Sequence, residues 1–204
     1  MRKVVVMMNM TMDGVAEFPE YLEDPNAPWE DPLYEPRFDS FDTLLLGRRT
    51  YEKWSEFWPQ QVDSPTSGPW EKRFSKFVNG LEKVVFSRSL AKAEWPRSRI
   101  VRDDPAAEIA RIRQLPGKDL ALCGGPRLLQ TFLEEDLVDE ICLRMFPSLV
   151  GSGKPLFRVR TDSLHDEDLI PLSAVGRRDF SLVEASPHGE GLVFLHYRRS
   201  RPTE

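Results

Sequence analysis

Apolar residues run along this chain in two rhythms. Four short blocks, KVVVMMN (3–9), DTLLLG (42–47), KVVFS (83–87) and LALC (120–123), are apolar with little polar alternation. That is the pattern of strands covered on both faces. Between these blocks the apolar positions recur at spacings of three and four, as on one side of a helix. Tyr51, Trp54, Phe57 and Trp58 share one face of a helix over 48–58, and PWEKRFSKFVNG (69–80) repeats the device with Pro near its start and Gly80 after its end. DPAAEIARIRQLPG (104–117) predicts a third helix with Asp104 as N-cap, and after Gly125 a fourth carries Leu128, Leu129, Phe132 and Leu133 inward. Then the rhythm changes. Residues 137–147, 174–186 and 191–199 read as strands, the last two joined by the turn PHGE. Strand–helix alternation closed by a hairpin predicts an α/β fold: a mixed, mostly parallel sheet flanked by helices, with a C-terminal antiparallel hairpin, in a single domain over 1–204.

The segment 17–36, EFPEYLEDPNAPWEDPLYEP, breaks both rhythms. It holds five prolines and seven acidic residues, so it is expected to be a loop. Its acidity reads by default as a solvated charge run, but its aromatics, Phe18, Tyr21, Trp29 and Tyr34, suit the functional or disordered loops of this length, and a cover over the substrate end is expected.

Charge removes some function classes. The 28 Lys and Arg against 33 Asp and Glu leave a net charge of −5. An acidic chain without a basic block is a poor nucleic-acid binder, because phosphate neutralisation supplies most of that affinity. The N-terminal MRKVVVMMNMTMDG breaks at Thr11 and Asp13, which reads as a first strand, and no stretch is long enough to span a membrane. Cys123 and Cys142 lie in apolar runs and are expected to be reduced thiols of a cytoplasmic protein. His165, His188 and His196 have no metal-ligand spacing, so no metal site is expected.

Candidate chemistry concentrates where strands hand over to helices. In an open α/β sheet, ligands bind outside the carboxyl ends of the strands, against free helix N–H groups. LLLGRRTYE places Gly47, Arg48, Arg49 and Thr50 at one such handover, a set suited to a pyrophosphate. CGGPR places Gly124 and Gly125 at another, and FSRSL (86–90) ends a third strand with an arginine among serines. The G-x-G-x-x-G fingerprint is absent.

The ordered motifs TMDG, LLLGRRTYE, KVVFSRSL, LCGGPRLLQTFLEEDLVDEICLRMFP and GSGKPLF resemble the dihydrofolate reductase-like superfamily. They are most similar to the branch holding the reductase domain of riboflavin biosynthesis and its free-standing relatives. The match runs from Met1 to about Phe157. The resemblance implies NADPH lying across the carboxyl edge of the sheet. Gly47, Arg48, Arg49 and Thr50 would hold phosphates, while Ser87, Arg88 and Arg127 would flank the adenosine 2′-phosphate. Gly124 and Gly125 match paired glycines that the family joins by a cis peptide, and Cys123, Pro126, Leu128 and Leu129 flank them on the cofactor wall. A cis bond without proline costs roughly 2.5–4 kcal/mol, so the surroundings would have to enforce it. Asn9 and Ala16 would line the nicotinamide, and Met10, Met12, Trp29 and Lys154 the substrate.

Folate reductases carry their proton-donating carboxylate on a long helix, where this chain has the proline-rich segment. Asp31 and Glu35, with Asp13, are the candidate acids. The implied activity is an NADPH-dependent reduction of a small heterocycle, resembling 5-amino-6-(5-phosphoribosylamino)uracil reductase, in a homodimer. The alternatives are a dihydrofolate or pteridine reductase and a nucleotide-binding protein without turnover.

Overall fold

A computed structural model of the chain describes residues 1–16, 35–157, 178–189 and 191–200. Among the described residues there are eight strands: β1 (Val4–Thr11), β2 (Phe41–Gly47), β3 (Glu82–Phe86), β4 (Ser98–Val101), β5 (Asp119–Leu122), β6 (Glu140–Phe146), β7 (Phe180–His188) and β8 (Leu192–Arg199). They form one sheet in the order β4-β3-β2-β5-β1-β6-β8-β7. The first six in that order are parallel, and β8 and β7 add an antiparallel margin. The helices are α1 (Glu35–Phe38), α2 (Arg48–Gln61), α3 (Pro69–Gly80), α4 (Pro105–Arg113) and α5 (Pro126–Glu134).

The unbroken apolar blocks are explained by burial on both faces. Val4 and Val6 pack with Ile109 and Ile112 of α4 and Leu129 and Phe132 of α5, while Val5 and Met7 belong to the opposite cluster with Tyr51 of α2 and Val78 of α3. On α2 the expected stripe holds for Tyr51, Trp54 and Trp58. Trp54 and Trp58 meet Phe74 of α3 edge-on, at 5.8 and 4.6 Å between centroids. Phe57 turns 45% exposed instead.

Other expectations are corrected. Strand β4 was not expected: four residues with Arg99 among them give too weak a pattern, and pairing with β3 alone makes the strand. Helix α4 stops at Arg113 rather than 117, because Gln114 and Leu115 already donate to the carbonyls of Arg111 and Ile112 in tightened turns. His188 closes β7 and is not in the turn. Most of the segment 17–36 lies outside the described residues, and its last two positions open α1. Among the described residues no helix is long and apolar enough to cross a membrane.

The amino edge of the sheet is sealed by buried charge. Arg2, 9% exposed, donates to the Lys118 carbonyl at 2.5 Å, to Thr43 Oγ1 at 2.9 Å and to the Asp42 carboxylate. Lys83 donates to the Asn79 and Pro96 carbonyls at 2.9 and 3.2 Å and lies 4.4 Å from the Trp95 ring centre. Burial pushes the Lys83 ammonium down to about 8. Glu140 is held by Lys3 Nζ at 2.9 Å and Arg198 Nε at 3.0 Å, with His196 Nε2 at 2.9 Å. These groups are spent on the fold, so the carboxyl edge is where a ligand would be met.

Candidate active site at the carboxyl edge of the sheet

Strands β5 and β1 are neighbours whose connections leave in opposite directions: β1 runs on to β2 past β5, and β5 crosses through α5 to β6 past β1. A crevice opens outside the carboxyl ends of such a pair. Two helices begin beside it. Gly47 is the N-cap of α2 and Gly125 the N-cap of α5; neither has a side-chain cap, and neither helix has an acid in its first turn. By contrast, α4 spends Asp104 on the Ala106 amide, and α3 spends Glu71 on the Gly68 amide at 2.7 Å. The bare ends of α2 and α5 keep their partial positive charge.

Cations gather at those ends. Arg48 and Arg49 open α2 and Arg127 lies in the first turn of α5. Arg48 pairs with Glu52 through two 3.0 Å contacts. Such an exposed pair, four residues apart, is worth only about 0.3–0.5 kcal/mol, so an arriving phosphate outcompetes it. The side chains of Arg49, Arg88 and Arg127 make no hydrogen bond or ion pair with any described residue.

The turn after β3 is preformed. Ser87 Oγ accepts from the Ser89 and Leu90 amides at 3.2 and 2.9 Å, and the Ser87 amide donates to the Val101 carbonyl. Arg102, which follows β4, donates to the carbonyls of Arg88 and Leu90 at 3.0 and 2.7 Å. Sequence reasoning missed Arg102 because it missed the strand that carries it.

The other half of the crevice is built by β1 and β6. Asn9 faces Arg144 in register, and Arg144 Nε donates to Asn9 Oδ1 at 2.8 Å. Arg144 was also missed, although one cation inside EICLRMF was a visible signal. Beyond them the chain is zipped between 11–16 and 148–156. The Met12 amide donates to the Ser148 carbonyl at 3.0 Å, Ala16 to Lys154 at 2.9 Å and Leu156 to Gly14 at 2.8 Å, around a bridge between Val15 and Pro155. TMDG and GSGKP, distant in sequence, are thereby brought together. Asp13 fastens the clasp: its carboxylate accepts from the Val150 and Gly151 amides at 3.1 and 2.8 Å and from the Thr11 hydroxyl. The Thr11 hydrogen bond, then the Gly151 amide, lower its carboxyl below the usual range.

Several expectations for individual residues change. The peptide joining Gly124 to Gly125 is trans, not cis. A trans bond avoids the strain, and Gly124 is needed for a different reason: a Cβ there would stand 2.7 Å from Leu128 Cδ2. At Gly125 a Cβ would meet nothing within 4 Å. Leu129 is fully buried in the core and its amide donates to the Gly125 carbonyl, so neither group reaches the crevice. Pro126 is buried at the start of α5, and Leu128 packs against Gly47 and Gly124. Burial pushes the Cys123 and Cys142 thiols up to about 12, so neither is a thiolate at neutral pH. Met10 packs half-buried on the core, as does Ala16, and Met12 is 56% exposed. Thr50 sits in the first turn of α2. Trp29 and Asp31 lie outside the described residues, as does the side chain of Glu35.

The model of the RibD C-terminal domain family matches residues 2–167. The uncharacterized Bacillus subtilis (strain 168) protein YyaP is 31% identical over 185 residues, 88% of this chain and 90% of its own. A Shewanella sp. PV-4 protein provisionally assigned to riboflavin biosynthesis superposes with a TM-score of 0.71 at 22% identity, over 98% of this chain and 100% of that one. The dihydrofolate reductase of Enterococcus faecalis, in complex with NADP(H) and RAB-propyl, superposes with a TM-score of 0.57 at 16% identity, over 98% of this chain and 97% of that one. The fold is therefore dihydrofolate reductase-like.

Proposed function

This chain belongs to the RibD C-terminal domain family, and on that premise we propose that it is an NADPH-dependent reductase of a small heterocyclic substrate. The observation that carries the reading is the pairing of two acid-free, glycine-capped helix N-termini with Arg48, Arg49, Arg88 and Arg127 at the carboxyl edge. A protein of net charge −5 has concentrated cations where a dinucleotide phosphate would lie.

In this reading Gly47 and Gly125 admit the backbone of their helices close to the pyrophosphate, and Arg49, Thr50 and Arg127 donate to it. Ser87 and Arg88 take the 2′-phosphate on a turn that is rigid beforehand, so little ordering cost remains at binding. NADPH, when bound, supplies the hydride. The chain's own part is to hold donor and acceptor together along the β5–β1 crevice, with Asn9, Met10 and Ala16 at the reactive end. Asp13 contributes by holding the 148–151 turn; a carboxyl kept ionised by three donors does not give up a proton at neutral pH. Asp31 and Glu35 are the acids proposed for that step.

Cofactor titration tests this. Dissociation constants for NADPH and NADH are measured on wild type and Arg88→Ala. A hydrogen bond to a charged group is worth roughly 1.5–3 kcal/mol, so NADPH binding should weaken about ten- to a hundred-fold and NADH binding hardly change. Equal weakening of both would remove Arg88 from the 2′-phosphate, and no binding of either would overturn the reading. Binding without oxidation across heterocyclic substrates would favour a nucleotide-binding protein without turnover.

A further inference from the structure

We propose that the groove between α2 and the segment joining β3 to β4 is a docking site for a basic segment of another protein, taking a lysine or arginine side chain together with a neighbouring backbone carbonyl. The groove has a volume of about 480 Å³. None of Gly47, Arg49, Ser87, Arg88, Gly125 or Arg127 lines it, so it is separate from the carboxyl-edge crevice and from whatever that crevice binds.

The floor is built before any partner arrives. Tyr51 and Trp95 form it and are 3% and 4% exposed. The Trp95 amide donates to the Tyr51 hydroxyl at 2.9 Å, and the Trp95 indole Nε1 donates to Asn79 Oδ1 at 2.7 Å, so both donors of the tryptophan are used. The Tyr51 hydroxyl is only half used. It accepts from Trp95, but no described residue accepts its own proton. A donor this deeply buried calls for an oxygen in the groove.

The walls call for donors. Glu52, Glu56 and Glu94 line the groove against a single cation, Lys92. Arg48 and Lys92 engage Glu52 and Glu94 in exposed pairs, which hold weakly in water. Glu56 is engaged only at its backbone carbonyl, by Gln60 Nε2 at 2.7 Å, and its carboxylate meets no described residue. Pro59, inside α2, brings no N–H to the Ser55 carbonyl one turn back, and both residues line the same wall. Leu90 and Pro96 add apolar surface along which the methylene stem of a long cationic side chain can lie. Three carboxylates, an orphaned carbonyl and one buried hydroxyl donor define the occupant: cationic N–H groups with a neutral oxygen beside them. A free basic amino acid would bring a fourth carboxylate among the three. Within a peptide that oxygen is an uncharged carbonyl.

Fluorescence anisotropy on the full chain tests this with a labelled peptide of alternating alanine and arginine, acetylated and amidated at its ends. The same peptide with citrulline for arginine keeps the shape without the charge and should bind about ten-fold or more weakly. Glu56→Gln should weaken the arginine peptide by a similar factor. Glu135→Gln, at an exposed acid outside the groove, should leave it unchanged. Agmatine, a guanidinium on the same stem without a carbonyl, should compete poorly. Tyr51→Phe should weaken the peptide several-fold and leave agmatine unaffected. Because Tyr51 also holds the Trp95 amide, Ser55→Arg supplies a second variant: it fills the groove from a half-buried helix position and should abolish peptide binding with the melting temperature retained. The proposal is overturned if the arginine peptide does not bind, or binds no better than the citrulline peptide. It is equally overturned if Glu56→Gln and Glu135→Gln weaken binding alike, or if binding survives Ser55→Arg or a folded Tyr51→Phe unchanged. Agmatine binding as tightly as the peptide would also overturn it, and would assign the groove to a free organic cation.

Discussion

The side chain of Leu128 fills the space into which a Cβ on Gly124 would project. The added carbon would stand 2.7 Å from Leu128 Cδ2 and 3.0 Å from its Cβ, and the first turn of α5 fixes that Cβ. The same leucine lies 3.8 Å from the Cβ position of Gly47, so one side chain is wedged between both glycine handovers. Gly124→Ala should therefore cost stability, about 1–3 kcal/mol as for other overpacked sites. Gly125→Ala meets nothing within 4 Å and should leave the melting temperature nearly unchanged, while weakening NADPH binding. Thermal unfolding and cofactor titration of both variants separate the two glycines; equal loss of stability would refute the distinction.

Arg102 should matter for cofactor choice without touching the cofactor. Its fork holds the carbonyls of Arg88 and Leu90, which sets the turn that presents Ser87 and Arg88. Arg102→Ala should lower the preference for NADPH over NADH several-fold. Lys keeps the charge but loses the fork, so Arg102→Lys should restore little of it. A full rescue by Lys would mean that Arg102 acts only through its charge.

Asp13→Ala should loosen the clasp between 11–16 and 148–156. The amides of Val150 and Gly151 lose their acceptor, and hydrogen exchange at those two positions should quicken markedly. The carboxyl is held below its usual range, so the clasp is complete above the ordinary carboxylate range. It fails only as pH drops through the lowered folded value. Unchanged exchange in Asp13→Ala at neutral pH would show that the backbone bonds suffice.

Glu140 should make acid stability measurable at one residue. Burial alone would raise its carboxyl, but Lys3, His196 and Arg198 hold it down to about 2. Its folded value lies below the unfolded one. The stabilisation is therefore full above about pH 4.5, the ordinary glutamate value, and lost as pH falls toward about 2. Glu140→Gln should cost about 1–3 kcal/mol at pH 7, and the gap to wild type should shrink between those two pH values in denaturant titrations. A gap independent of pH would assign the loss to packing.

The doubly covered strands, the amphipathic helices and the glycine-marked handovers were legible in the sequence because each is a local pattern. Period, β-branching and a glycine before a helical run are properties of neighbours in the chain. Gly47, Arg48 and Arg49 were found on that basis, and the structure sets all three at the start of α2 on the carboxyl edge. What pairing across the sheet creates was not legible. Strand β4 exists only because β3 lies beside it, and with it came Arg102. Arg144 reads as one cation in an apolar strand until β6 is set in register with β1 and its guanidinium meets Asn9, 135 residues away. The purpose of the glycine pair was likewise tertiary. The family resemblance implied a cis peptide, but the peptide is trans, and only the packing of Leu128 against Gly124 reveals a demand for space rather than for conformation.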